Sequence, residues 1–136
     1  MKRFTLSRDE RLRFEKDFQK IYAKGKQLSS SNNRLRVNYY FESSVNVVGI
    51  KAAFVVSKKA GNAVWRNKVK RLLRVAYRTN KLELKKYCIE NNFLLYLIFS
   101  PKTLNQDQNK NICLDFIISD FIDLLKKTKA KLEKHA

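Results

Sequence analysis

Cationic side chains are the most concentrated group of chemically distinctive residues in this chain. Nine of its 30 Lys and Arg residues lie within residues 51–80, and no acidic residue occurs between Glu42 and Glu83. The formal charge of +18 over 136 residues favours a polyanionic partner, with nucleic acid as the first candidate and an anionic membrane surface as the second. The alternative is a solvated basic surface that has no partner.

Groups that could catalyse a reaction are few. His135 is the only histidine, which excludes a pair of histidines for general acid and base catalysis. Asp115, Asp120 and Asp123 are expected on the outer, solvated side of the last predicted helix, which disfavours a two-metal site. We find no Gly-rich phosphate loop with a Lys and no Ser, His and Asp set. The sequence therefore predicts neither a catalytic centre nor a metal site in this chain.

Cysteine usage and hydropathy limit the class of protein further. Cys88 and Cys113 have no C-x-x-C spacing and no neighbouring His, which favours a reducing cytoplasm over a zinc site or a disulfide framework. The longest apolar run, residues 93–99, is too short to span a membrane. The basic N-terminus lacks the apolar segment of a signal peptide. The length and the 44% hydrophobic content predict one domain over residues 1–136.

The cations that follow residue 57 require a helix to position them. At 100° per residue, the hydrophobic side chains of residues 63–78 fall on one arc and the polar side chains on another. The polar arc comprises Arg66, Asn67, Lys68, Lys70, Arg71, Arg74 and Arg78. This helix is therefore expected to pack one side on a sheet and to present a nearly continuous basic surface on the other. Trp65, at the edge of the apolar arc, is expected in the core.

Three strands are predicted around this helix. Residues 35–41 alternate apolar and polar side chains, as expected of a strand with one buried face. A second strand covers residues 47–57. Residues 93–99 predict a strand that is buried on both faces, which suits a central or parallel position.

Two further helices complete the predicted order. Residues 8–24 form a helix that begins with a capping box from Ser7 to Glu10 and ends at Gly25, where a left-handed cap is expected. A last helix covers residues 111–131, and residues 81–91 are ambiguous between a loop and a helical extension. The order α-β-β-α-β-α predicts an α/β (α+β) two-layer sandwich.

Residues 54–74, FVVSKKAGNAVWRNKVKRLLR, closely resemble the basic signature of the bacterial ribonuclease P protein subunit. In that family a strand ends in Ser-Lys-Lys, a Gly-Asn-Ala-Val turn follows, and the next helix begins with Arg-Asn-Arg-x-Lys-Arg. Residues 17–25 are similar to the first helix of the family. This chain departs from the pattern at Lys68, where the family has Arg, and at Ser100, where an Arg usually precedes the Pro-containing loop.

The resemblance implies a fold and a division of labour. The unit formed by the second strand, the basic helix and the third strand is expected to have a left-handed crossover. A catalytic RNA subunit, using Mg²⁺, would remove the 5′ leader of precursor tRNA. The protein would bind that RNA and the leader, and would help the metal ions to bind, with no other protein subunit required. The enzyme would thus be an endoribonuclease whose chemistry belongs to its RNA.

The resemblance also assigns residues to two RNA-binding surfaces. The set expected to contact phosphates of the catalytic RNA is Lys58, Lys59, Asn62, Arg66, Asn67, Lys68, Lys70, Arg71 and Arg74. Such contacts position an RNA rather than read its sequence. The turn at Gly61 and Asn62 either presents N–H groups to a phosphate or only caps the helix.

The second surface is a cleft for the single-stranded leader. The residues expected there are Phe18, Tyr22, Arg36, Asn38 and Ser57. Phe18 and Tyr22, one helical turn apart, either stack on bases or belong to the core. Phe14 and Ile21 are expected in the core. Ser57 either contacts RNA or caps the loop.

Two other functions remain open from the sequence. The main alternative is a structural, non-catalytic RNA-binding protein of the ribosomal type that uses the same basic helix. A membrane-binding protein would require an exposed apolar stripe beside the basic surface, whereas here the apolar stripe is needed for the core.

Overall fold

A computed structural model describes residues 11–12, 14–43 and 46–134. Its elements are α1 (Glu15–Lys24), β1 (Lys26–Ser29), β2 (Leu35–Ser43), β3 (Gly49–Phe54), α2 (Ala63–Asn80), α3 (Leu82–Glu90), β4 (Phe93–Pro101) and α4 (Leu114–Glu133). A short 3₁₀ turn, Lys58–Ala60, precedes α2. None of the described helices is long and apolar enough to cross a bilayer.

The four strands form one sheet in the order β1-β2-β4-β3. β2 is antiparallel to both of its neighbours, whereas β3 and β4 run parallel and are joined through α2 and α3. Every residue of β4 from Phe93 to Ser100 is buried, as expected of a central strand covered on both faces. The predicted mixed α+β architecture and the two-faced burial of this strand are confirmed.

The sheet separates two hydrophobic clusters. One face packs on α2, α3 and α4 and holds the larger cluster, in which Phe99 stacks on Phe54 and contacts Phe121 at a ring-centroid distance of 4.4 Å. The other face packs on α1 through a smaller cluster that includes Ile21, Tyr96 and Ile98. Because side chains alternate along a strand, β4 supplies both clusters.

The predicted order lacks two elements. β1 lies within a stretch that looks polar in sequence, and it forms because its backbone pairs with residues 36–39 of β2. The ambiguous segment 81–91 contains the separate helix α3, whose Leu84 and Cys88 pack into the larger cluster. The last helix runs three residues later than predicted at its start and ends at Glu133.

The predicted start of the first helix is wrong. Arg11 forms a parallel bridge with Ala52 of β3, and the Leu12 N–H donates to the Ala52 carbonyl at 3.0 Å, so the chain is extended before α1. The capping box from Ser7 to Glu10 lies outside the described residues. Phe14, predicted in the core, is 56% exposed, whereas Ile21 is fully buried as predicted.

Gly25 ends α1, but not in the left-handed conformation predicted for it. Its φ of −77° and ψ of 175° are extended. Glycine is required there for space, because a Cβ would lie 2.5 Å from the Tyr39 carbonyl oxygen and would also meet the Ile21 carbonyl oxygen. The α1–β1 turn therefore presses directly against β2.

The prediction for Asp120 is also wrong, because this residue is buried rather than solvated. Its carboxylate accepts hydrogen bonds from the Ser30 hydroxyl at 2.7 Å and from the Asn32 amide at 3.3 Å. Arg34 lies 3.9 Å from the same carboxylate. These contacts attach the β1–β2 loop to α4, so the residue has a structural role.

Asp123 extends the same attachment one helical turn further along α4. Its carboxylate accepts from the Ser31 backbone N–H at 2.9 Å and lies 3.2 Å from the Lys127 ammonium. Burial by itself would raise the pKa of Asp123, but the hydrogen bonds from Ser31 and Lys127 lower it overall. The charged form is therefore the one that the fold stabilises.

Candidate RNA interface

The outer side of α2 forms a continuous polar surface, which we call the basic ridge: Arg66, Asn67, Lys68, Lys70, Arg71 and Arg74. The opposite side of the helix is buried against the sheet through Trp65, Val69, Leu73 and Ala76, as the helical spacing predicts. Asn67, Arg71 and Arg74 are exposed, and the other members are partly exposed. The helix thus holds its cations at fixed positions on a rigid support.

No carboxylate neutralises the ridge in the described part of the chain. The ion pairs found among the described residues include those of Lys20, Arg34, Lys127 and Lys129, and no member of the basic ridge takes part in one. Within the described residues, the ridge side chains make two polar or cation–π contacts: the Arg66 Nε donates to the Gly61 carbonyl at 3.1 Å, and the Arg74 guanidinium lies 5.9 Å from the Phe54 ring. The charge is therefore available to an external anion.

The turn before α2 is fixed by the loop that follows β4. The Asn62 side chain accepts from the Trp65 N–H at 2.9 Å and so caps the helix, while the Asn62 N–H donates to Gln106 at 2.8 Å. Trp65 is buried as predicted, and its indole donates to the Asn109 carbonyl at 2.9 Å. The structure thus gives Asn62 a capping role, and both N–H groups are already used within the chain.

Gly61 is required at this turn because of close packing. Its φ of 171° is extended backbone, but a Cβ there would lie 2.7 Å from the Trp65 ring and 2.8 Å from Gln106. Lys58 and Lys59 lie just before it on the 3₁₀ turn, and both are exposed. The turn therefore places these two lysines beside the start of the basic ridge.

A groove lies between α1 and the outer edge of β3, with a volume of about 550 Å³. Phe18 is partly buried in the smaller cluster and also lines this groove. Arg74 of the basic ridge and Arg11 line the same groove. Tyr22, one turn after Phe18, is 55% exposed. The structure thus connects the first helix with the basic ridge, which sequence periodicity alone does not reveal.

The sheet face that packs on α1 also carries polar residues of β2, and we call this face the cleft floor. Arg36 and Asn38 lie on that face and are partly exposed, because they alternate with the buried Leu35, Val37 and Tyr39. Ser57 is exposed between β3 and the 3₁₀ turn, where its carbonyl accepts from the Ala60 N–H. The structure therefore brings Phe18, Arg36 and Asn38 to one side of the sheet.

Two tyrosines and a lysine that the sequence did not single out belong to the same floor. The rings of Tyr40 and Tyr96 lie 6.1 Å apart, and the Lys20 ammonium is 5.4 Å from the Tyr40 ring. Burial, followed by the charges of Glu42 and Asp17, raises the pKa of Tyr96 to about 12. Its phenol therefore stays neutral. The alternation around Tyr40 is visible in the sequence, but only the strand register places it opposite Tyr96.

The described residues contain no group of three or more His, Cys, Asp or Glu side chains that could hold a metal ion. Of the three aspartates considered above, Asp120 and Asp123 are engaged by the β1–β2 loop, on the sheet face away from the cleft. Within the described ranges, the acidic side chains therefore form no cluster suited to holding Mg²⁺. His135 lies outside the described residues.

Taken together, these features define a small basic α+β protein with one cationic helix face and one aromatic-lined cleft. A family model described as Ribonuclease P matches residues 6–128. The ribonuclease P protein component of Clostridium botulinum (strain Langeland) is 33% identical over 120 residues, which is 88% of this chain and 95% of that protein. The component of Clostridium novyi is 39% identical over 80 residues, or 59% of this chain and 68% of that protein.

Solved structures agree with the sequence relatives. The RNase P protein of Staphylococcus aureus superposes with a TM-score of 0.65 at 27% identity, covering 88% of this chain and 95% of that one. The protein from Thermotoga maritima gives a TM-score of 0.62 at 28% identity, covering 87% and 96%. This chain belongs to the ribonuclease P protein family.

Proposed function

We propose that this chain binds the RNA subunit of ribonuclease P through the basic ridge and the 5′ leader of precursor tRNA in the cleft beneath α1. The RNA subunit would carry out the hydrolysis that releases the leader. The observation that carries this proposal is the basic ridge, a rigid row of cations that is paired with no carboxylate of the described chain. A row of this kind is suited to a phosphate backbone, because each contact releases bound counterions.

The cleft supports the second half of the proposal. Phe18 and Tyr22 offer aromatic surface on α1, and Arg36 and Asn38 offer polar groups on the floor. Aromatic stacking together with nearby cations is the usual way in which proteins hold single-stranded nucleic acid. Since the groove is also lined by Arg74, one RNA-binding surface continues into the other.

Mg²⁺ is proposed to be bound by the RNA. It would stabilise the charge that develops on the phosphate during hydrolysis, as metal ions do in phosphoryl chemistry. The contribution of this chain is electrostatic and positional: its cations offset the repulsion between RNA and substrate, so that productive binding needs less added magnesium.

Reconstitution tests the proposal. The full chain is mixed with in vitro transcribed ribonuclease P RNA and precursor tRNA at low magnesium, and release of the leader is followed over time. We expect faster cleavage than with the RNA alone. The same mixture tests whether one protein and one RNA suffice without another subunit.

A control protein separates a specific effect from simple charge neutralisation. An unrelated basic protein of similar size and charge replaces the chain at the same concentration. If both proteins accelerate cleavage equally, or if neither does, the proposal fails. Tight binding to structured RNA without faster cleavage would instead favour a structural, ribosomal-type RNA-binding protein.

A further inference from the structure

The floor of the cleft changes character along β2. Beneath α1, Tyr40 of β2 lies opposite Tyr96 of β4. Two residues earlier on β2, Asn38 lies between Gln27 and Ile98. Two residues earlier again, Arg36 lies between Ser29 of β1 and Ser100 of β4. At about 3.3 Å per residue, the Arg36 row lies roughly 13 Å from the Tyr40 row. The floor thus passes from aromatic to cationic as it leaves α1.

Arg36 is held in this row by a neighbouring strand. Its Nε donates to the Ser100 hydroxyl at 3.1 Å, and the two residues are directly opposite in the strand register. Ser100 is only 9% exposed, which restricts where its hydroxyl can lie. The two terminal nitrogens of the guanidinium make no hydrogen bond to any residue in the ranges that the structure describes. They remain free to bind an anion in forked geometry.

Lys102 is held in the same way on the other side of Arg36. Its ammonium donates to the Ser29 hydroxyl at 2.9 Å and to the Asn33 amide oxygen at 3.4 Å. Ser29 is the register partner of Arg36 on β1. Two serine hydroxyls in one row across three strands therefore each hold one cation.

Neither cation is neutralised by its surroundings. Across the described ranges, no carboxylate lies within 4.0 Å of Arg36 or Lys102. Asp120 and Asp123 of α4 accept hydrogen bonds from Ser30 and Ser31 of the β1–β2 loop instead. Two fixed, unneutralised cations on one surface are suited to an oxyanion such as a phosphate diester.

We propose that Arg36 and Lys102 form a phosphate subsite for the leader upstream of the segment held at Phe18. Ser100 is the positioning residue of this subsite, because it orients the guanidinium from the adjacent strand. The inference rests on the proposed function, and it places a phosphate-binding pair of cations at the end of the cleft floor that is farthest from α1. An extended strand that leaves α1 along the floor meets Asn38 and then this pair of cations.

The test measures binding of precursor tRNA to the reconstituted holoenzyme, with leaders shortened one nucleotide at a time. We expect Arg36→Ala and Lys102→Ala each to weaken binding of long leaders about tenfold, the usual size of a lost charge-assisted hydrogen bond. The loss should vanish once the leader is too short to reach the subsite. For long leaders, the slope of log affinity against log salt should become shallower by about 0.7 for each lost contact.

Lys86→Ala is the matched control, since it removes one exposed cation from α3, on the opposite face of the sheet. It should change affinity equally little at every leader length. If Arg36→Ala and Lys102→Ala lose equal affinity for tRNA with long leaders and for leaderless tRNA, the two cations bind other phosphates, those of the RNA subunit or of the tRNA body. That result, or unchanged binding in both variants, would overturn the subsite while leaving wild-type reconstitution intact.

The role of Ser100 is tested by a pair of variants. Ser100→Ala removes the hydroxyl that orients Arg36, whereas Ser100→Thr keeps it and suits a strand. We expect Ser100→Ala to lower the affinity for precursor tRNA with long leaders only. We expect Ser100→Thr to keep the affinity of the wild type. If both variants behave alike, Ser100 has no positioning role.

Discussion

Lys70 is the member of the basic ridge that is best suited to measuring a single phosphate contact. It is partly exposed on α2 and makes no hydrogen bond or ion pair to the described residues. Removing it should therefore change RNA binding without disturbing the turn before the helix.

We predict that Lys70→Ala weakens binding to ribonuclease P RNA and lowers the slope of log affinity against log salt by about 0.7 to 0.9. Arg66→Ala should act in the same direction, although it also removes the bond to Gly61. Binding is measured by titration at several salt concentrations. A slope equal to that of the wild type would mean that the side chain faces solvent in the complex.

Phe18 belongs both to the small cluster and to the groove, so its substitution has two consequences. We predict that Phe18→Ala weakens holoenzyme binding of precursor tRNA more than binding of leaderless tRNA. Loss of a stacked base costs about 1–3 kcal/mol. Thermal unfolding of the free protein monitors the structural part, and an equal loss for both RNAs would assign Phe18 to the core alone.

The burial or exposure of a residue is predictable where it depends only on the helix or strand that contains the residue. The helical arc placed the basic ridge and Trp65 correctly, because both depend on one helix and its buried side. Phe14 and Asp120 were placed wrongly, because their surroundings come from contacts that are distant in sequence: the bridge from Arg11 to Ala52, and the loop at Ser30. Local periodicity contains no information on either contact.

The turn between α1 and β1 shows how closely two elements can approach. Its glycine is needed for space, since a side chain there would meet two backbone carbonyls that cannot rotate away. The position of α1 over the sheet, and hence of the cleft, depends on this contact.

We predict that Gly25→Ala lowers the free energy of unfolding by about 1–3 kcal/mol, the usual cost of overpacking. Urea unfolding measures the change. Lys24→Ala, at the exposed end of α1, is the matched control and should cost much less. If Gly25→Ala is as stable as the control, the turn has room that the geometry does not indicate.

A helix or strand is predictable from the sequence when its own hydrophobic pattern is strong. β4 and α2 are predictable because seven consecutive apolar residues and a helix with one apolar and one polar side are strong signals. β1 is not predictable, because KQLS has no alternation of its own and is a strand only by pairing with β2. The left-handed crossover implied by the family resemblance is likewise beyond periodicity, since handedness is a property of the three-dimensional path.

At the scale of the whole molecule, the two cysteines report on the integrity of the larger cluster. Cys88 is fully buried and Cys113 is exposed. Burial raises the pKa of the Cys88 thiol to about 12. Because the folded state then retains a proton that the unfolded chain releases above about pH 8.5, this group lowers stability as pH rises beyond that value.

We predict that a thiol reagent at pH 8 labels one cysteine in the native protein and two in denaturant. Mass spectrometry counts the labels, and Cys113→Ser should reduce the native count to none. Rapid native labelling of Cys88 would show that α3 opens away from the sheet.

The central position of β4 also determines when the protein can fold during its synthesis. β4 separates β2 from β3 in the sheet, yet it comes last of the strands along the chain. Until the ribosome has released the segment up to Pro101, the β1–β2 hairpin and β3 have no common partner and the cleft has no floor. Pairings this distant in sequence form slowly. The nascent chain therefore exposes its cations to cellular RNA before the surface that orders them exists.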